Sequence, residues 1–254
     1  MNISIFVKNH TVMKLKYVVL MVFSVFLLNS QKSSGQNFFE FAYNAATPMV
    51  FDDLNFVIDR YNETRNFLDV EMKNITFLDG KTYTLGERFG KYSFSIGYTG
   101  AGMKVKAEGV DNSGFLVQRQ LKVKTSVFDL CFSRDILQME NAVLEFGAGL
   151  HYGRFKIKTR VDYKEDIRKA DWVYINDSDK QMFAISAFLK YSLFRPGFFI
   201  QPYLQYTPGD FSVKDITGLN EAINPYTWSG DPSPLEVSNT TIGLKIGYRF
   251  YYME

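Results

Sequence analysis

Histidine is the residue type that most directly raises the question of catalysis in this sequence. A serine–histidine–acid hydrolase needs a histidine as its general base. The chain has two, His10 and His151, and His10 lies in a segment with the layout of a leader peptide. Glu145, an acid in the same alternating register as His151, would lie roughly 20 Å away from it along a strand. We therefore predict that His151 belongs to a polar network and that the chain has no catalytic site.

Other ligand-binding motifs are weak. Residues 97–102 (Gly-Tyr-Thr-Gly-Ala-Gly) resemble a phosphate loop, but they lack its Gly-Lys-Ser/Thr ending. The acidic stretch 162–179 lacks the residue order of an EF-hand. Cys131 is the one cysteine, which excludes an internal disulfide. We predict no metal and no cofactor.

Seven ionisable residues form the constellation with the most physical weight. They alternate with apolar positions and are predicted to face the lumen of a closed sheet: Lys122, Lys124, Glu145, His151, Lys190, Lys245 and Arg249. An eight-stranded barrel is just wide enough inside to be filled by its own side chains, and buried charges need partners. A closed, hydrogen-bonded core is the favoured interpretation. The alternative is a narrow pore or transporter for small anionic solutes, because basic residues outnumber acidic ones in this set.

The elements that must position these residues are predicted to be β-strands. Stretches with alternating apolar and polar residues, separated by turn residues, are typical of half-buried strands. Eight such stretches cover residues 38–46, 74–85, 91–99, 116–132, 142–152, 183–193, 198–206 and 238–252. In the last of them every even position from 242 to 252 is apolar or aromatic. This period of two predicts a strand with one apolar and one polar face.

These stretches predict an all-β fold, a closed antiparallel eight-stranded transmembrane β-barrel. A spanning structure without apolar helices must be a closed barrel. A phase change at 100–102 predicts a β-bulge, and residues within 51–72 predict a short amphipathic helix in the first long loop. We expect that helix to pack over the barrel mouth or the outer rim; the alternative is a plug or a partner-binding element.

The predicted connections are asymmetric. Turns at 86–90, 133–141 and 195–197 lie at one end, and three of the four connections at the other end are long. Short periplasmic turns with longer outer loops are typical of outer-membrane barrels. The soluble alternative is a periplasmic, lipocalin-like binding barrel, whose apolar faces would point inward.

The first 35 residues have the layout of a secretory signal peptide. Lys14 and Lys16 precede a 12-residue apolar run at 17–28, which is too short for an ordinary spanning helix. The predicted domains are a signal peptide at 1–35, with Met13 as the candidate true start and cleavage near Gly35, and a barrel at 36–254. A retained N-terminal anchor is the alternative. Four of the 29 basic residues lie in the leader, so the remaining 25 face 27 acidic residues, which gives no indication of nucleic acid binding.

The chain resembles the small outer-membrane β-barrel proteins of Bacteroidetes-type bacteria, in the broad family of OmpA-like and PorT-like barrels. The residues that carry the resemblance are Ser-Ser-Gly-Gln at 33–36, Leu-Asn at 54–55 with Asp-Arg-Tyr-Asn at 59–62, Ala-Glu-Gly at 107–109, and Gly-Tyr-Arg-Phe at 247–250. The resemblance implies the cell outer membrane of a Gram-negative bacterium, with outer-membrane lipid and the barrel-assembly machinery as partners. Many members of such families have no assigned activity, so it implies location more than function.

Aromatic residues of the last strand are the predicted assembly signal: Tyr248, Phe250 and Tyr252. A charge at mid-membrane costs about 2–4 kcal/mol on the lipid face of a barrel. Phe250→Asp is therefore expected to damage assembly more than Arg249→Gln.

Aromatic residues of the long outer loops are candidate contacts for a protein or glycan ligand: Trp172, Tyr174, Tyr226 and Trp228. Exposed aromatic residues on loops are favoured contact residues in recognition. The sequence thus predicts a non-enzymatic integral outer-membrane barrel with a structural or interaction role through its outer loops.

Overall fold

A computed structural model describes residues 35–48, 51–163, 170–174, 181–195, 197–207, 223–224 and 240–252. The predicted signal peptide, apart from Gly35, lies outside these residues. The elements are, in chain order, β1 (Gln36–Pro48), α1 (Phe51–Glu63), β2 (Leu68–Val70), β3 (Leu78–Phe89), β4 (Tyr92–Val110), β5 (Leu116–Gln138), β6 (Ala142–Tyr163), β7 (Val173–Tyr174), β8 (Gln181–Leu193), β9 (Phe198–Tyr206) and β10 (Thr240–Tyr252). No helix among the described residues is long and apolar enough to cross a membrane.

Eight antiparallel strands close into a ring. Their order is β4-β3-β1-β10-β9-β8-β6-β5, and β5 pairs back onto β4. The first and last strands are neighbours, paired from Asn37↔Tyr252 to Pro48↔Thr241. The short strands β2 and β7 add to β4 and β6. The predicted all-β ring of eight antiparallel strands is confirmed.

The two ends of the ring differ. At the turn end, β3–β4, β5–β6 and β8–β9 are joined by two, three and four residues. The first of these turns is shorter than the predicted 86–90, because β3 continues to Phe89 and Gly90 turns the chain with a φ of 58°. At the opposite end, the loop end, β4–β5 is joined by five residues and the other connections are longer.

Strands β4 and β6 extend beyond their predicted ends towards the loop end, whereas β5 begins as predicted and extends towards the turn end, to Gln138, into the predicted turn 133–141. Strands β4, β5 and β6 contain 19, 23 and 22 residues. The bulge predicted at 100–102 is wrong, because β4 pairs with β5 without a shift from Tyr92↔Arg134 to Val110↔Leu116. At 100–102 the alternation keeps its phase, but the polarity of the two faces is exchanged. On the turn-end side of this point the aromatic Tyr98 points outward, and on the loop-end side the apolar Ala101 and Val105 are buried inside.

An apolar core lies at the loop end between α1 and the extended strands. Helix α1 ends at Glu63, short of the predicted limit at 72, because the chain then forms β2 against β4. Leu54, Val57, Ile58 and Tyr61 lie at helical spacing and are buried. Their cluster includes inward-facing residues of all three strands: Ala101, Val105, Ala107, Leu121, Val123, Phe155 and Ile157. The helix packs within its own fold, against inward-facing residues of the three strands; the choice between a cover over the mouth or rim and a plug stays a prediction.

Two asparagines on α1 bind the segment that follows β2. Asn55 donates to the carbonyl oxygen of Ile75 (3.0 Å) and accepts from its N–H (2.8 Å). Asn62 makes the same two contacts with Met72, each at 2.9 Å. The side chains of Ile75 and Met72 are buried, so the two asparagines satisfy backbone groups that burial removes from water.

Candidate functional site: the charged interior and the outward face

Burial alternates along β10 as the sequence predicts. Lys245 and Arg249 point into the ring and are buried, whereas the even positions point outward. The outward side chains are between 38% and 58% exposed: Ile242, Leu244, Ile246, Tyr248, Phe250 and Tyr252. A contiguous apolar outer face of this kind marks an interaction or membrane surface.

The first interior cluster is centred on Arg249. Its Nε lies 2.6 Å from Glu40 Oε1, and its Nη1 lies 2.7 Å from Glu145 Oε1. Lys190 Nζ lies 2.8 Å from the same Glu40 oxygen, and Ser133 Oγ donates to Glu145 Oε2 at 2.8 Å. Arg249 is 3% and Glu145 0% exposed. Two bases therefore face two acids, away from solvent.

The second cluster is centred on Asp129. Its Oδ1 lies 2.7 Å from His151 Nδ1, and its Oδ2 accepts from Thr99 at 2.6 Å and lies 3.7 Å from Lys245 Nζ. The other ring nitrogen of His151, Nε2, lies 2.7 Å from Ser186 Oγ. Serine, histidine and aspartate thus stand in the order of a hydrolase triad, with an acid that the sequence analysis did not identify.

The surroundings of this triad do not suit acyl transfer. Asp129 and His151 are cross-strand partners, and Ser186 lies on a strand paired on both sides, with Gly149 and Gln205. Its backbone N–H serves the sheet, whereas an oxyanion hole requires donors aimed at the reacting oxygen. A void of about 20 Å³ lies among the interior side chains, which is room for about one water molecule. The arrangement fits a hydrogen-bonded core.

The interior charges match in number. A third pair, Arg88 and Asp135, is buried towards the turn end. Together the three clusters contain four acids and four bases besides His151: Glu40, Asp129, Asp135 and Glu145 with Arg88, Lys190, Lys245 and Arg249. The basic excess that favoured an anion-preferring conduit is absent from these described clusters.

The lumen position predicted for Lys122 and Lys124 is wrong. Both side chains are exposed on the outside of β5, while Leu121 and Val123 are buried in the core around α1. The prediction assumed that polar residues face inward along the whole strand. At the loop end α1 fills the interior with apolar side chains, so the polar residues of β5 face outward. The structure brings together the other five predicted residues in the two clusters.

Tyr248 and Phe250 of the predicted assembly signal form aromatic contacts on the outside. Phe250 stacks on its cross-strand partner Phe39 with ring centroids 6.5 Å apart, and Tyr248 meets Phe198 edge-on at 5.8 Å. Tyr252 is exposed beyond them. These positions are compatible with an assembly signal, which stays a prediction.

Of the predicted loop contacts, Trp172 is half-buried, and the Arg160 guanidinium carbon lies 4.7 Å from its ring centroid. Tyr174 lies in β7 and pairs with Lys158. Tyr226 and Trp228 lie outside the described residues. Among the residues that the structure describes, no group of three or more His, Cys, Asp or Glu is placed to hold a metal ion.

Comparisons with known proteins give fold-level likenesses. No protein-family model and no curated protein sequence matches the chain. Among solved structures, similar ones are two of Ail, the attachment invasion locus protein of Yersinia pestis. The complex with the heparin analogue sucrose octasulfate is 12% identical, with a TM-score of 0.36, and covers 85% of this chain and 99% of Ail. The second is 11% identical, with a TM-score of 0.34, and covers 85% and 97%. The resemblance to OmpA-like and PorT-like barrels stays a prediction.

Proposed function

We propose that the chain is a non-enzymatic integral outer-membrane β-barrel with a sealed interior, acting through the elements at its loop end. The observation that carries this proposal is the inversion of polarity along β4, β5 and β6. Towards the turn end the interior is charged and the outside apolar; towards the loop end the interior is apolar and the outside basic. A strand that leaves a bilayer for water must reverse its faces in this way, because its outer surroundings change from lipid to water.

The aromatic residues at the inversion support a membrane boundary. Tyr98, Phe128 and Tyr152 are consecutive cross-strand partners on β4, β5 and β6, and all three face outward. Towards the turn end the outward residues of β6 are Leu144, Phe146, Ala148 and Leu150. From Leu144 to Tyr152 this apolar stretch covers nine residues, and a tilted strand needs roughly 9–11 to cross a bilayer. Aromatic residues concentrate at both interfaces of such barrels.

A soluble, lipocalin-like barrel is the weaker candidate. Such a barrel keeps its apolar side chains inside around a ligand cavity. Here Glu40, Glu145, Lys190 and Arg249 occupy the interior, and the outward positions of β10 are apolar. If this chain were a soluble barrel, charged side chains would fill its ligand cavity and apolar side chains would be exposed to water.

A pore is disfavoured by two features of the described interior. The charged clusters leave a void of about 20 Å³, and α1 with its apolar cluster packs on the inner faces of β4, β5 and β6 at the loop end. Conduction through a narrow barrel requires a continuous hydrated path. A structural or interaction role at the loop end is the function that remains best supported, with a protein or glycan ligand as the expected partner class.

The membrane location is tested with single nitroxide labels on β6, at Leu150 below the aromatic row and at Lys156 above it. We expect the Leu150 label to collide with oxygen dissolved in lipid and the Lys156 label to collide with a water-soluble nickel chelate. Access of the nickel chelate to the Leu150 label would contradict a membrane barrel.

A further inference from the structure

The outside of the extended strands carries rows of lysines in direct register. On β4, β5 and β6, Lys104, Lys122 and Lys158 are consecutive cross-strand partners, and in the row below Lys124 faces Lys156. These five lysines are the cationic platform. It lies on the loop-end side of the aromatic row and points away from the interior.

Lysines in this arrangement are unfavourable by themselves. Like charges directly opposite each other on neighbouring strands destabilise a sheet. Lys104, Lys122 and Lys124 are exposed, and no carboxylate of the described residues forms an ion pair with them. On β4, by contrast, Lys106 forms an ion pair with Glu108 at 2.7 Å. An external anion would relieve the repulsion between Lys104 and Lys122.

The platform includes one wall of a depression in the outer surface. Gly100 and Gly102 form its floor, and Lys81 lies on the side opposite Lys122 and Lys124; the depression has a volume of about 450 Å³. Tyr83 and Tyr98 line its lower edge, and the carboxylate of Asp79 lines one side, where Tyr43 donates to it at 3.0 Å. A Cβ added at Gly100 would meet nothing nearer than the Tyr98 ring, at 3.4 Å. The depression is open because this position has no side chain.

The height of the platform above the aromatic row of Tyr98, Phe128 and Tyr152 indicates which kind of anion it can contact. Lys124 lies four residues beyond Phe128, which is roughly 13 Å along the strand and about 10 Å along the axis of a barrel whose strands tilt by roughly 40°. The headgroup layer outside the hydrocarbon is about 5–8 Å deep, and lysine side chains extend back towards such a layer. The ammonium groups of Lys124 and Lys156 therefore lie at headgroup level, and the upper row of Lys104, Lys122 and Lys158 lies about 5 Å farther out along the axis.

We propose that the cationic platform and its depression bind the phosphate groups of a phosphorylated lipid headgroup in the outer leaflet. The lysines supply point charges for phosphate, and the tyrosines at the lower edge contact the part of the lipid nearest the hydrocarbon. This inference rests on the proposed membrane location. The boundary lipid would thereby be fixed beside the strands that support α1.

The test compares two triple variants with equal loss of charge. Lys104, Lys122 and Lys124 are changed to Gln in the first; exposed basic residues at the turn end, Lys91, Arg134 and Arg195, are changed to Gln in the control. Each refolded protein in detergent is titrated with diphosphoryl lipid A or phosphatidylcholine, and bound lipid is counted by native mass spectrometry. A basic residue near an anionic surface contributes about fivefold in affinity, so the platform variant should bind lipid A roughly a hundredfold more weakly. The control variant should bind lipid A as tightly as the unmodified protein does. Phosphatidylcholine should bind equally well to the unmodified protein and to both variants.

Gly100→Leu provides a second variant that leaves every charge in place. It fills the depression, so lipid A should bind several-fold more weakly although the protein folds as before. Equal affinity for lipid A in the platform and control variants would overturn the inference. Tighter binding of a soluble heparin oligosaccharide than of lipid A, lost in the platform variant, would assign the surface to a soluble polyanion and also overturn it. Failure of the proposed membrane location would appear separately, in the unmodified protein, as exposure of the Leu150 label to water.

Discussion

Replacement of Arg249 by methionine is expected to be among the most destabilising single changes in the ring. The guanidinium makes charge-assisted hydrogen bonds to Glu40 at 2.6 Å and to Glu145 at 2.7 Å. Hydrogen bonds to charged groups contribute about 1.5–3 kcal/mol each, and removal of one partner from a buried ion pair costs about 3–5 kcal/mol. Glu40 keeps Lys190, but Glu145, which is fully buried, keeps only the Ser133 hydroxyl among the contacts described above. We expect a loss of about 3–5 kcal/mol in the free energy of unfolding.

The assay is urea unfolding of the protein in phospholipid vesicles, followed by the gel shift of the folded band and by tryptophan fluorescence. Arg249→Met combined with Glu145→Gln restores the balance of one acid to one base, and the amide oxygen of the substituted side chain can still accept from Ser133. This double variant should therefore recover about half or more of the loss. Lys91→Met, an exposed change at the turn end, should stay within about 0.5 kcal/mol of the unmodified protein. A loss below about 1 kcal/mol for Arg249→Met, or no recovery in the double variant, would refute the reasoning.

Three further outcomes follow from the same structure. Phe250→Asp places a charge on the proposed lipid face and should cost about 2–4 kcal/mol, so the outer-membrane levels of this variant and of Arg249→Gln should both fall, whereas Phe250→Leu should remain near normal. Asn62→Ala leaves the N–H and C=O of buried Met72 without their partner and should cost about 1–3 kcal/mol, seen as faster hydrogen exchange at residues 72–75 while exchange in β10 is unchanged. Ser186 should not react with a fluorophosphonate probe because the interior lacks space for it, and labelling that disappears in Ser186→Ala would show the triad to be an accessible nucleophile site.

The expectation that Phe250→Asp damages assembly more than Arg249→Gln stays a prediction, but the two ion pairs of Arg249 narrow the expected difference. From the sequence, Arg249 was a polar residue facing a lumen, with no identified partner. One of its two carboxylate partners, Glu40, is 209 positions away on β1. Pairing between the first and last strands is a property of ring closure, which no local pattern reports.

The period of two identified the strands because it records two chemically different faces, and β10 shows this most fully. The same pattern misplaced Lys122 and Lys124, since it does not say which face is inside. That depends on what surrounds the strand: in the proposed membrane barrel, lipid outside reverses the ordinary rule, and α1 inside restores it. The short stretch of apolar residues at helical spacing within 51–72 was the available signal that the loop end has its own apolar core. The partner of His151 was missed for a related reason, because Asp129 lies opposite it on the neighbouring strand, not six residues along its own.

Planar-bilayer recording tests the central claim, a sealed membrane barrel, most directly. The purified protein is inserted at known density, with insertion checked by the gel shift of the recovered protein and with a large porin as the conducting control. The matched charge clusters and the apolar cluster around α1 predict that the membrane current stays at baseline over the range in which the porin conducts. A steady current from the unmodified protein, anion-selective and altered by Lys245→Glu, would contradict a sealed interior and would make the protein a channel.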